Sequence, residues 1–248
     1  MPLESAAFVA LVFFVAGWVK GVVGMGLPTV AMGALGVVMA PVQAAALLVV
    51  PSLVTNIWQF AVGAATVSVT KRFASMVVLV CVGTAFGIQF LTSGSSRWPS
   101  VALGAVLALY ALLALFLPKF TVPPQSESVL SPVVGAVTGV ISGATGVFLV
   151  PAVPYLSALD LGKDELVQAF GLFATVATIA LAIGLSVRSS YSSTSLLASL
   201  LAVIPALIGM FAGQRARGRI DPVAFKRWFL FAMLLLGCYM VLRGLLAR

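Results

Sequence analysis

The sequence predicts an all-α polytopic membrane protein, and its composition and charge distribution carry this prediction. Of its 248 residues, 62% are hydrophobic and only 8% are charged, whereas soluble domains carry about a quarter charged residues. Residues 21–70 hold no Asp, Glu, Lys or Arg, and neither do residues 129–159. Uncharged apolar runs of about 18 residues or more are typical of membrane helices. These features exclude a soluble domain and leave almost no mass outside the membrane.

Charged residues, prolines and glycines divide the chain into about eight apolar segments, each predicted to be helical. The segments are 5–40, 42–63, 74–92, 99–117, 131–159, 166–187, 196–212 and 223–246. Only the stretch 118–130 has the composition of a linker. The chain is therefore divided into a first membrane repeat (1–117), a loop linker (118–130) and a second membrane repeat (131–248).

The two halves contain similar stretches in the same order, which indicates an internal duplication of four segments. The matching stretches are 17–28 with 135–146, 41–45 with 166–170, and 83–87 with 205–209. In or beside them, the pairs Gly83/Gly87 and Gly209/Gly213 have the spacing that lets helix backbones approach closely. We expect these glycine pairs to pack helices together.

The first segment of each half is predicted to be broken or re-entrant. Segment 5–40 is too long for one crossing at about 1.5 Å per residue and too rich in glycine near its centre for one uninterrupted helix. We expect the break within 21–28. In the second half we expect it at 143–146, which leaves two pieces that are each about half a bilayer long.

The basic residues test this arrangement, because cytoplasmic loops collect Lys and Arg. If every segment crosses once, the two sides receive similar numbers of basic residues and no orientation follows. If the first segment of each half returns to its starting side, one face collects Lys71, Arg72, Lys119, Lys163, Arg215, Arg217, Arg219, Lys226 and Arg227. The other face has Arg97, Arg188, Arg243 and Arg248. This predicts inverted repeats with both chain ends outside the cytoplasm, a known transporter architecture.

Lys20 is the only charged residue deep in an apolar run, and it directly precedes the glycine-rich break. A cation inside the membrane is costly and functional by default, although a lysine near a helix end can also reach the interface. Gly24, Gly26 and Pro28 free backbone amides, which survive at membrane depth only inside protein or beside a wet cavity. A helix that starts there presents N–H groups and a positive dipole end to an anion.

We expect further polar residues from both halves to face Lys20 in a substrate-binding site. They are Gln43, Asn56, Gln59, Gly143, Thr145, Gln168 and Thr175, with Thr178 as an additional candidate. For each of these taken singly, hydrogen bonding between helices is the alternative role.

The sequence lacks the side chains that several functional classes require. There is no histidine, and all six acidic residues fall at chain ends or in loops, so no buried carboxylate is available for a proton relay or a sodium cage. Cys81 and Cys238 lie inside apolar runs. We expect no cofactor, no metal and no enzymatic acid, base or nucleophile. A purely structural subunit would not need glycine breaks in both halves.

These glycine-rich openings, the following Pro28 and Pro151, the stretches Val42-Gln43-Ala44 and Val167-Gln168-Ala169, and the two glycine pairs resemble the TauE/SafE family of sulfite and organosulfonate exporters along nearly the full chain. The resemblance implies a multi-pass transporter of the bacterial inner membrane that exports sulfite or a sulfonate such as sulfoacetate. The second half departs from the family pattern, because Gly143-Ala144-Thr145-Gly146 stands where consecutive glycines are usual.

The expected partners are a small anionic substrate and the lipid bilayer, without nucleic acid, and the sequence leaves a homo-oligomer open. A transporter or channel for another small anion, such as a carboxylate or thiosulfate, is the alternative. The substrate itself would carry any coupled proton, or the membrane potential alone would expel the anion.

The inverted arrangement predicts the location of both termini. Reporter domains that fluoresce only in the cytoplasm, fused after the last residue or before the first, should remain dark, while a reporter fused after Arg72 should fluoresce. Fluorescence from both terminal fusions would contradict inverted repeats.

Overall fold

The computed structural model describes residues 3–63, 65–94, 97–116, 120–148, 150–188, 190 and 193–246. These residues form eleven α-helices, and no strand occurs among them. The helices are α1 (Leu3–Val23), α2 (Leu27–Val38), α3 (Pro41–Ala61), α4 (Thr66–Arg72), α5 (Ala74–Leu91), α6 (Arg97–Phe116), α7 (Pro124–Thr145), α8 (Ala152–Ala158), α9 (Lys163–Val187), α10 (Ser193–Ala216) and α11 (Pro222–Leu246).

Eight of these helices are long and apolar enough to cross a membrane, namely α1, α3, α5, α6, α7, α9, α10 and α11. Their candidate spans contain 18 to 25 residues, which at about 1.5 Å per residue matches the hydrocarbon thickness of about 30 Å. The prediction of an all-α polytopic membrane protein with eight apolar segments is thereby confirmed.

The first predicted segment, 5–40, is broken into α1 and α2, as expected. Gly24 and Gly26 between them have φ angles of 89° and 109°, in the left-handed region that favours glycine. Pro28 lies in the first turn of α2, where a missing N–H removes no helical hydrogen bond. The local sequence therefore ends one helix and starts the next.

The break in the second half begins later than the predicted 143–146. Helix α7 continues to Thr145 and is capped by Gly146, whose φ is 73°. Gly143 lies inside the helix, and a Cβ there would be 2.4 Å from the Thr84 carbonyl oxygen of α5. Close packing on α5 thus explains this glycine better than a break does.

The predicted linker, 118–130, is partly helical, because α7 begins at Pro124. Residues 117–119 lie outside the described part of the chain. Arg72 at the end of α4 donates two hydrogen bonds, of 2.6 and 2.8 Å, to the Glu127 carboxylate in the first turn of α7. This pairing raises the pKa of the Arg72 guanidinium and holds α4 beside the start of α7.

Glycine contacts join helices of the two halves along two long seams. Gly209 of α10 packs on the Phe14 carbonyl of α1, and Gly213 packs on Trp18 one turn further on, so α1 and α10 run parallel. Gly83 and Gly87 of α5 pack in the same way on α7. The glycine pairs therefore act in packing, as expected. Under the predicted duplication the two seams are equivalent, while the inverted relation of the halves stays a prediction.

The first segment of the chain reverses its direction within the bundle at the break between α1 and α2. The end of α1 lies beside the end of α10, where Arg217 contacts the carbonyl of Val22. The end of α2 lies beside the start of α6 and the end of α11, where Gly36 faces Leu103 and Met240. Helix α11 begins just after α10 ends and finishes beside the start of α6, so these two places are opposite ends of the bundle.

A proline in α3 is compensated by a side chain from α10. Pro51 has no N–H, so the Leu47 carbonyl one turn earlier loses its helical donor. The Ser199 hydroxyl donates to this carbonyl at 2.8 Å and accepts the Val50 N–H at 3.1 Å. Both backbone groups are thereby satisfied at membrane depth.

The seam between α1 and α10 predicts the effect of adding one methyl group. A Cβ at Gly209 would lie 2.0 Å from the Phe14 carbonyl oxygen, so we expect Gly209→Ala to lower the stability of the purified protein by about 1–3 kcal/mol. Thermal unfolding followed by tryptophan fluorescence measures this.

Gly218→Ala is the matched control, because no atom lies within 4 Å of the added Cβ. Equal unfolding midpoints for the two variants would contradict the packing role of Gly209.

Candidate functional site

Lys20 lies in the last turn of α1 and is only 4% exposed. Its ammonium group donates to the Thr55 hydroxyl at 3.1 Å and to the Asn56 side-chain oxygen, both on α3. Among the residues that the structure describes, it is the only charged side chain that is buried. A buried ammonium needs acceptors of this kind, because burial removes its hydration.

A chain of polar side chains continues from Lys20 across the bundle. The Asn56 amide donates to the Ser52 hydroxyl at 3.1 Å, and this hydroxyl lies 3.4 Å from that of Thr178 on α9. Helices α1, α3 and α9 are therefore connected by side-chain hydrogen bonds around one cation. Such networks fix the orientation of each member.

A narrow pocket lies directly at Lys20, between the two helix breaks. Gly24, Gly26 and Pro28 line it from the first break, and Phe148 and Ala152 line it from the second. Its volume is about 30 Å³, which is room for about one water molecule. The structure therefore brings the two broken segments together at the buried cation, around a small pocket.

A wider pocket of about 540 Å³ adjoins the narrow one and shares Lys20, Gly24 and Gln59 with it. Polar and charged side chains line it as well, among them Asp164 and Arg217. It lies where α3 and α10 end and α9 begins. Lys20 thus stands at the boundary between a polar vestibule and the narrow pocket.

Arg217, which follows α10, holds the end of α1. Its guanidinium donates to the Val22 carbonyl at 2.8 Å and to the Gly21 carbonyl at 2.9 Å. These carbonyls lie in the last turn of α1 and have no partner within the helix. Sequence reasoning assigned Arg217 only to orientation in the membrane, and no local signal in the sequence indicated this contact.

Six of the predicted site residues line the narrow pocket, and one lines only the wider pocket. The six are Lys20, Gly24, Gly26, Pro28, Asn56 and Gln59. The seventh is Gln168. The structure thus brings together the first-half candidates near the break, with one candidate from the second half at the vestibule.

Four predicted residues lie away from both pockets. Gln43 is exposed in the first turn of α3, about 20 Å along that helix from Asn56. Gly143 packs on α5. The Thr145 and Thr175 hydroxyls donate to the carbonyls one turn earlier in their own helices. Polar residues within apolar segments were expected to face Lys20, but Gln43 is exposed at the far end of α3, and the other three make contacts within or between helices.

Gln168 joins the end of α3 to the start of α4. Its side-chain amide donates to the Phe60 carbonyl at 2.9 Å and the Thr66 hydroxyl at 3.2 Å, while its oxygen accepts the Ala65 N–H at 2.8 Å. It is 1% exposed, and it occupies the space that a Cβ at Gly63 would need. Both N–H groups of its amide donate hydrogen bonds within the protein. Gln168 therefore fastens the end of α3 to the start of α4, and we call this contact the latch.

Two residues of the polar network were missed in the sequence, although a signal was present. Ser52 and Thr55 share one face of α3 with Asn56 and Gln59, because these positions follow the i, i+3, i+4, i+7 pattern of a helix. A polar stripe with this spacing inside an apolar segment indicates a face that contacts other polar groups.

The comparisons with known proteins give one family. The family model described as Sulfite exporter TauE/SafE matches residues 9–240, nearly the whole chain. No match was found among curated proteins or among solved structures.

The latch at Gln168 predicts a loss of stability on substitution. Gln168→Leu removes the hydrogen bonds to the part-buried Phe60 carbonyl and Ala65 N–H, and each lost hydrogen bond costs about 0.5–1.5 kcal/mol. We expect a lower unfolding midpoint for the purified variant. Gln214→Leu is the control, since Gln214 lines the same pocket but is exposed. A midpoint for Gln168→Leu equal to that of the control would contradict the latch.

Proposed function

The chain belongs to the TauE/SafE family of membrane transporters, and from this premise we propose that it exports a small sulfur-containing anion. The anion is sulfite or an organosulfonate such as sulfoacetate, and it passes through a midplane site between the two repeats. The membrane is the inner membrane of a bacterial cell, which the chain crosses several times.

The observation that carries the proposal is the buried Lys20 between the two helix breaks. Its two acceptors on α3 are neutral, and among the described residues lining the narrow pocket there is no carboxylate to neutralise its charge. In a medium of low dielectric constant, an unpaired ammonium attracts an anion far more strongly than it does in water. A small anion is therefore the missing partner.

The start of α2 also favours a negatively charged ligand. Gly26 caps this helix without a side-chain hydrogen bond, and the first turn of a helix carries free N–H groups and a partial positive charge. The Thr29 hydroxyl in that turn is fully buried, and no partner for it lies within the described part of the chain. Because Gly26 and Pro28 line the narrow pocket together with Lys20, the N–H groups at the start of α2 add donors there without adding negative charge.

Passage of the anion requires the pocket to open. With room for about one water molecule, the narrow pocket at Lys20 cannot hold sulfite in this conformation. We infer that the segments around the two breaks separate when the anion enters from the vestibule. Glycines at both breaks make such a movement inexpensive for the backbone.

A second anion class remains the alternative. An ammonium group and helix N–H groups recognise charge and oxygen acceptors, and both are present in carboxylates and thiosulfate. Transport of such an anion, by a carrier or by a channel, would use the same residues. Saturation of the flux with rising anion concentration separates a carrier from a channel.

Anion flux through liposomes that contain the purified protein tests the proposal. We expect Lys20→Gln to reduce sulfite and sulfoacetate flux by about 10-fold or more, because a hydrogen bond to a charged group contributes about 1.5–3 kcal/mol. Lys71→Gln is the control, since Lys71 is an exposed lysine on α4, and it should leave the flux unchanged.

The outcomes separate the parts of the proposal. Unchanged flux in folded Lys20→Gln protein would remove Lys20 from the pathway. Flux of acetate without flux of sulfite, sulfoacetate, taurine or thiosulfate would remove the sulfur-containing substrate and leave the anion pathway.

A further inference from the structure

A large groove lies at the end of the bundle where α10 ends and α11 begins. Its volume is about 1010 Å³, and four basic side chains line it: Lys163, Arg217, Lys226 and Arg227. They come from three separate places in the chain, namely the start of α9, the connection after α10 and the first turns of α11. No acidic side chain is among the described residues that line the groove.

These cations have no carboxylate partner in the part of the chain that the structure describes, where the single ion pair joins Arg72 and Glu127. The Arg227 guanidinium lies 6.0 Å from the centre of the Phe231 ring, and Arg217 bonds to backbone carbonyls. Setting the orientation of helices in a membrane requires basic residues at the correct ends, but it does not require them to converge on one groove. Convergence of like charges is unfavourable unless an anion lies among them.

The remaining walls of the groove are apolar. Leu115 and Phe116 at the end of α6 and Leu230 and Phe231 of α11 contribute them. Trp228 lies next to this wall on α11 and is 75% exposed, as is typical of tryptophan at the boundary between membrane and water. The occupant that fits therefore has an anionic head and an apolar tail.

We propose that this groove binds an anionic phospholipid. Its phosphate lies among the four basic side chains, and an acyl chain lies along the apolar walls of α6 and α11. Basic pockets between helices at the membrane boundary are suited to such headgroups. A free anion would gain nothing from the apolar walls, and it has the polar vestibule as its route to Lys20.

This site does not depend on what the protein transports, but it adjoins the pathway. Arg217 lines both the groove and the vestibule, and it holds the last-turn carbonyls of α1. A lipid phosphate beside Arg217 therefore contacts the group that fixes the end of the helix bearing Lys20.

Binding of defined lipids to delipidated protein in a neutral detergent tests the proposal. Phosphatidylglycerol should raise the unfolding midpoint and remain bound in native mass spectrometry, whereas phosphatidylcholine should do neither. The double substitution Lys226→Gln with Arg227→Gln should weaken phosphatidylglycerol binding about 30-fold, at roughly 1 kcal/mol per basic residue. The matched control is Lys71→Gln with Arg219→Gln, which removes the same charge outside the groove and should retain the affinity.

Each other outcome overturns the lipid site. Equal stabilisation by phosphatidylcholine would exclude headgroup recognition, and stabilisation by water-soluble glycerol phosphate would indicate a soluble anion instead. An equal loss of phosphatidylglycerol affinity in both double variants would indicate attraction by general surface charge and not by the groove. If the groove variant does not fold, Lys226→Gln alone is measured, with an expected loss of about 5-fold, and unchanged affinity in it would also overturn the proposal.

Discussion

The hydrocarbon of the membrane offers no hydrogen-bond partner, and this constraint explains three irregular points in the bundle. A helix that stops or contains proline within the membrane leaves carbonyl and N–H groups that only the protein can satisfy. Three side chains from distant parts of the chain do so: Arg217 at the end of α1, Ser199 opposite Pro51 in α3, and Gln168 at the end of α3. Each one links two helices while it satisfies the backbone, so the breaks and the packing of the bundle depend on one another.

Close helix packing at the two glycine seams fixes where these side chains lie. Because α1 packs backbone to backbone on α10, and α7 on α5, the helix that precedes each break is packed closely against a partner helix. A larger residue at such a contact would move a whole helix and shift the break at its end. Gly143 illustrates the distinction, since it serves the seam with α5 and not the break that follows. Glycines inside the helices allow close helix packing, whereas Gly24, Gly26 and Gly146, which have positive φ angles, lie where helices end or begin.

The distribution of charged side chains also follows from the low dielectric constant of the membrane interior. Acidic side chains are kept from the interior, one lysine is admitted beside the first break, and the other cations surround the ends of the helices. A low-dielectric interior strengthens the field of the one buried cation, while basic residues at the rim raise the local concentration of anions. Lys20 is held by Thr55 and Asn56 without being neutralised. In the proposed function, this charge is the one that attracts the transported anion.

The sequence by itself determined the fold class, a break within 21–28, the packing role of the spaced glycines and the unusual position of Lys20 inside an apolar run, because each follows from local chemistry. Charge-free runs form membrane helices, glycine with proline ends a helix, and a lysine in an apolar run needs partners. The tertiary structure decided which groups became those partners. It joined Arg217 to a carbonyl 195 residues away, made Gln168 a latch, left Gln43 exposed at the far end of α3, and gathered cations from three segments into one groove. Contacts of this kind depend on how helices pack in three dimensions, and neither spacing nor composition along the chain encodes them.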